Sequence, residues 1–125
     1  MDLSDDIRVS VISQYLESHS DPSENRYAFA YYVRIRNLGQ HTVQLRSRYW
    51  MITDGNGDSK DVYGAGVVGE EPILAAGEEY SYSSGAVIAT PFGTMEGHYE
   101  FDGPRGLRFK AQIPMFQLSK DNIVH

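Results

Sequence analysis

The sequence predicts an all-β fold, an antiparallel sandwich of about seven strands. Tyr27, Phe29, Tyr31, Val33 and Ile35 alternate with Ala28, Ala30, Tyr32 and Arg34 over nine residues, the period of two that a half-buried strand requires. Gly77, Gly85, Gly93, Gly97, Gly103 and Gly106 cut the second half into short runs rich in Tyr, Val, Ile and Phe. None of those runs has the length of a helix.

Taken in order, Ile7, Val9 and Val11 alternate with Arg8 and Ser10 in a first strand. The second runs from Tyr27 to Arg36, where Asn37-Leu38-Gly39 breaks it. A third spans Val43 to Thr53, with Val43, Leu45, Tyr49 and Met51 on the apolar face and Arg46, Arg48 and Trp50 opposite. Asp54-Gly55-Asn56-Gly57-Asp58 tolerates positive φ and turns the chain into a short strand near Lys60 to Val62. Tyr80 to Ile88 and Thr94 to Asp102 form two more, the latter with Met95, Gly97, Tyr99 and Phe101 inward. Leu107, Phe109, Ala111 and Ile113 share one face of the last. Tyr31, Val33, Ile35, Tyr49, Met51, Tyr99 and Phe101 are the expected core. Strands this short, with turns every 8 to 12 residues or so, describe a sandwich with immunoglobulin-like corners.

A chain of 125 residues suits one domain over 1–125, with residues 1–5 and 120–125 as loose ends. Cysteine is absent, which excludes disulfides, thiolate catalysis and Cys-based zinc sites. The formal net charge of -6 opposes a polyanion, so no nucleic acid is expected as main partner. No stretch reaches the ~18 apolar residues of a membrane span and the first residues lack a leader pattern, so the expectation is a cytoplasmic protein without membrane association. Arg34, Arg36, Arg46 and Arg48 cluster in sequence, leaving open a locally basic face or merely solvated strands.

Gly64-Ala65-Gly66-Val67-Val68-Gly69 spells the G-x-G-x-x-G pattern of phosphate-binding loops, but Glu70-Glu71-Pro72 follows where a helix would have to begin. Three readings of this loop stay open. Gly64, Gly66 and Gly69 allow positive φ and close approach while Val67 and Val68 plug the sandwich edge. Alternatively the backbone forms a nest for pyrophosphate or another small anion, aided by Arg46, Arg48 or Lys60. In the third reading the loop docks a protein.

Of His19, His41, His98 and His125, only His98 shares a strand face with carboxylates, those of Glu96, Glu100 and Asp102. Adjacent i, i+2 side chains rarely converge on an ion without a ligand from the next strand. Glu96, His98 and Glu100 are therefore weak candidates, and neither metal site nor cofactor is expected. Ser81, Ser83 and Ser84 lack a nucleophile elbow, and Glu70 and Glu71 read as loop charge. An enzyme acting on dinucleoside polyphosphates lacks the metal-holding carboxylates and positioned base it needs.

Four motifs in order resemble the bacterial ApaG (CorD) family: Arg26 to Tyr31 with Ile35 to Gly39, Arg48 to Gly57, Gly64 to Pro72, and Thr90 to Tyr99. The resemblance implies an immunoglobulin or fibronectin type III-like sandwich. It further implies an association with cobalt resistance and magnesium efflux, and relatives in larger proteins whose natural role is protein binding. A non-catalytic module that docks an unidentified protein through a sandwich edge or the Gly64 to Glu71 loop is the leading expectation. A sensor of a small phosphorylated ligand or divalent cation is the alternative.

Overall fold

A computed structural model of the chain describes residues 3–121. Eight strands form two antiparallel sheets: β1 (Ile7–Tyr15), β2 (Tyr27–Asn37), β3 (Val43–Asp54), β4 (Ser59–Ala65), β5 (Ile73–Leu74), β6 (Glu79–Ile88), β7 (Phe92–Asp102) and β8 (Arg108–Ser119). One sheet has the order β1-β2-β6 and the other β4-β3-β7-β8, with β5 pairing the start of β3. This is the immunoglobulin-type sandwich with its fourth strand moved to the opposite sheet, a fibronectin type III-like arrangement. The described residues contain short 3-10 turns but no α-helix, and no helix long and apolar enough to cross a membrane.

All seven expected strands are present, and three details differ. The last strand runs on to Ser119 because Pro114 falls in an irregularity: Met95 pairs Phe116 while Gly97 pairs Ile113, so β8 holds one extra residue there. Proline is tolerated at such a bulge on an edge strand. Leu107, expected within the last strand on one face with Phe109, Ala111 and Ile113, is exposed and precedes β8, because Pro104–Gly106 forms a 3-10 turn that closes the β7–β8 hairpin. Leu3, within the expected loose end, is buried in a 3-10 turn over Leu3–Asp6.

The larger correction concerns β3. Trp50 is inside and only 2% exposed, whereas Tyr49 and Met51 face outward. Leu45 pairs Phe101 but Ser47 pairs Glu100, so Arg46 is an extra residue that reverses the alternation of everything after it. Around Trp50 the rings of Tyr31, Phe116 and Tyr99 stand edge-on at centroid distances of 5.5, 5.8 and 6.3 Å. Such tilted pairs add to the apolar burial of the indole. The Tyr99 and Tyr82 hydroxyls hydrogen-bond to each other and so link the two sheets. Burial pushes both phenols well above the ordinary tyrosine range, which keeps them protonated.

Gly97 lies opposite Trp50 in the β3–β7 register, where a Cβ would overlap the Tyr49 carbonyl oxygen and stand 2.9 Å from its carbon. Gly97→Ala must push these strands apart beside the largest core side chain. We expect a loss on the order of 2–3 kcal/mol, read as a lower urea midpoint with unchanged slope.

Candidate functional site

The glycine loop leaves β4 at Ala65 and folds into a two-residue turn. Val67 and Glu70 bond each other through both backbone pairs, N to O at 2.8 and 3.0 Å. Val68 and Gly69 between them have φ of 48° and 79°, the signature of a type I′ hairpin. Glycine or asparagine normally fills the first of these positions, and a β-branched residue there is a genuine outlier. Val67 is fully buried, while Val68 is 63% exposed at the tip. Only one of the two valines plugs the sandwich edge; Val68 points to solvent because the turn reverses the chain between them.

Arg48 holds this loop in place. The reversed alternation of β3 turns its side chain inward, where Nη1 donates to the carbonyl oxygens of Ala65 at 3.0 Å and Gly66 at 2.9 Å. Gly64 pairs Arg48 across the strands, and a Cβ there would stand 2.9 Å from both terminal nitrogens of the guanidinium. Gly66 has φ 63°, and its Cβ would overlap the Glu70 carbonyl oxygen. The three glycines therefore have three distinct jobs: close passage of Arg48 at Gly64, a tight left-handed bend at Gly66, and the hairpin turn at Gly69.

The cations expected beside the loop are engaged or distant. Arg46 Nε lies 3.3 Å from Glu71 Oε1 and 3.5 Å from Asp102 Oδ2. Lys60 is six residues from Gly66, and at about 3.3 Å per strand residue it stands roughly 20 Å from the bend. The amides of Gly66, Val67 and Glu70 already donate to protein carbonyls. Arg34 and Arg36 lie on β2, in the other sheet, and Arg34 pairs with Glu79. The four arginines close in sequence do not form one basic face.

On the outer face of β3, β4 and β7, Tyr49 lies against His98 with ring centroids 5.1 Å apart and against Tyr63 at 6.3 Å. Glu100 accepts from the Tyr63 hydroxyl, which holds its carboxyl below the ordinary range, and lies 3.9 Å from His98 Nε2 and 4.0 Å from Arg108 Nη1. Among the described residues, no three histidines or carboxylates are placed to hold a metal ion. His19 and His41 sit on separate connections, and His125 lies outside the described residues. Ser81, Ser83 and Ser84 are exposed along β6.

Residues 17–103 match the family model of the ApaG domain. The chain belongs to the ApaG domain family. It is 53% identical over 117 residues to Protein ApaG of Pectobacterium carotovorum subsp. carotovorum, which covers 94% of each chain. Protein ApaG of Escherichia coli O1:K1 is 52% identical over the same length and shares. A crystal structure of a Bordetella pertussis protein described as ApaA superposes with a TM-score of 0.89 at 47% identity, over 91% of this chain and 93% of that one. A structural-genomics X-ray structure gives 0.90 at 42% identity, over 100% and 93%. The glycine loop and the β3 bulge lie within the residues that match the ApaG domain.

Two outcomes test this geometry. Gly66→Val should cost on the order of 2 kcal/mol or more, because it adds left-handed strain to an overlap with backbone. Val68→Asn should instead gain about 1 kcal/mol, since asparagine adopts that conformation readily. Chemical denaturation of both variants reads the opposite signs directly.

Burial lowers the His98 pKa, assisted by Lys110 and opposed by Glu100. A depressed histidine stabilises the fold fully above its unfolded value of 6.5 and loses that contribution as pH falls toward the folded value. Thermal midpoints should therefore decline below about pH 6.5, and His98→Gln should remove that slope. Measuring above pH 5 or so separates it from Glu100, whose own loss begins near the ordinary carboxylate range.

Proposed function

We propose that this ApaG-type protein is a non-catalytic binding module that docks a protein partner through the Gly64–Glu71 loop. The observation that supports it best is Val68, an exposed apolar side chain held in a conformation its own chemistry disfavours. Strain that persists at an exposed tip points to function, because an asparagine there would stabilise the turn. Arg48 and buried Val67 fix the loop before any partner arrives, which limits the ordering cost of association. The association with cobalt and magnesium that family resemblance implies is then carried by the partner.

The anion-binding alternative draws less support. Arg48 faces loop carbonyls rather than the open side, and Glu70 and Glu71 set negative charge beside the remaining amides. Affinity capture with the natural protein and with Val68→Asn as baits separates the readings. We expect a specific protein held by the former and lost with the latter, and no measurable heat from ATP or a dinucleoside polyphosphate. An unchanged set of captured proteins, together with micromolar nucleotide binding abolished by Gly66→Val in folded protein, would replace docking with ligand sensing.

A further inference from the structure

Apart from the two-residue β5, the four described edge strands of the sandwich are not equally protected against strand addition. β4 is seven residues long and carries Lys60 and Asp61. β8 has Pro114 at its bulge and Arg108 and Lys110 along its length. β1 lies against β8, and Ser13 Oγ donates to the Gln117 carbonyl at 2.6 Å across that seam. Short length, proline, charge and coverage are the devices that keep edges from pairing.

β6 has little of this protection, since its one charge, Glu79, is its first residue and pairs with Arg34 of β2. From Tyr80 to Ile88 it reads Tyr-Ser-Tyr-Ser-Ser-Gly-Ala-Val-Ile, without a charge or a proline. It pairs β2 in an unbroken register on one side, and no described strand lies on the other. Beside the Gly85 to Ala89 end, a cleft of ≈ 440 Å³ opens between β6 and β4, lined by Ile52, Val62, Ala86 and Ile88. Asp54, Asp58 and Lys60 stand at its rim, two acids against one base.

We infer that the β6 edge is a strand-addition site for an extended segment of a partner polypeptide. Its occupant has small apolar side chains at alternate positions and a basic residue at the end that meets Asp54 and Asp58. This rests on reading the protein as a docking module, and it adds a second surface to the glycine loop. Main-chain hydrogen bonds supply the attraction, and the cleft selects every second side chain. Charge disfavours a second copy of this chain as occupant. Full antiparallel pairing of two β6 strands would set Glu79 of one copy at the Ile88 end of the other, beside Asp54 and Asp58, between chains of net charge -6. A basic segment meets the same end with opposite sign.

The probe is the capped peptide Lys-Val-Ser-Val-Ser-Val-Lys, compared with a version bearing glutamate at both ends and one with proline at the centre. Titrated into 15N-labelled protein at low salt, the lysine peptide should saturably shift the amides of residues 80–88 and slow their exchange. It should bind about tenfold tighter than the glutamate peptide, and the proline peptide should not bind. Ser84→Lys places a charge on the cleft side of the exposed edge and should abolish binding at an unchanged thermal midpoint. Asp58→Lys should reverse the order of the two charged peptides. Val68→Asn should leave peptide binding intact, so failure here is distinct from failure of the loop reading. Absent shifts along β6, equal binding of both charged peptides, or concentration-dependent dimerisation through this edge would overturn the inference.

Discussion

One extra residue in β3, Arg46, sets the rest of the structure. Without that bulge, Val43 and Leu45 would continue inward as Ser47, Tyr49 and Met51, and Trp50 would lie outside. With it, Arg48, Trp50 and Ile52 face the opposing sheet while Tyr49 and Met51 join His98 on the outer face. The indole then becomes the hub of the aromatic cluster, and the guanidinium two residues earlier reaches the glycine loop. Core packing and loop geometry are thus two consequences of one register shift. A bulge in this position also explains the side-chain-free Gly97 opposite, since Trp50 and the Tyr49 carbonyl occupy the space.

The loop itself inverts the logic of the motif it spells. In a phosphate-binding turn, backbone amides converge on an external anion. Here carbonyls of Ala65 and Gly66 converge on an internal cation, and the loop amides close a hairpin upon itself. The same glycine spacing serves both arrangements because each needs left-handed backbone and close approach. What distinguishes them is the charge placed nearby, and the arginine sits on the protein's side of the loop.

How much of this was legible in the sequence follows from what each signal measures. Alternation reports strands, so all seven long strands and the inward set Met95, Tyr99 and Phe101 on β7 were readable from it. Alternation cannot report a single inserted residue, and the run Tyr49-Trp50-Met51-Ile52 is apolar on both faces, so the inward placement of Trp50 was invisible. Sequence proximity puts Arg46 and Arg48 near the loop, but what each does there depends on the face it occupies. Sequence proximity groups Lys60 with them, although an extended strand carries it far away. The split of Arg34 and Arg36 from Arg46 and Arg48 reflects a β2–β3 connection that changes sheets instead of forming a hairpin. The strain at Val68 had a faint signal in advance, a Val-Gly pair where a tight hairpin would prefer Asn-Gly.

The sandwich is closed along one side and open along the other, and that asymmetry bears on what the fold can do. β1 and β8 meet along the closed seam, where Ser13 bonds Gln117. On the open side run β4 and β6, with the Arg48-braced loop near the Tyr82 end and the Asp58 turn near the Ile88 end. On this side Trp50 and Tyr99 are buried, and the bond between the Tyr82 and Tyr99 hydroxyls ties β6 to β7. A rigid frame can hold a strained tip such as Val68, because local relaxation would have to disturb buried packing. The open side offers an apolar tip, a bare strand edge and an acidic rim. Among the described residues these features share the side of the sandwich on which the β6 backbone edge has no neighbouring strand.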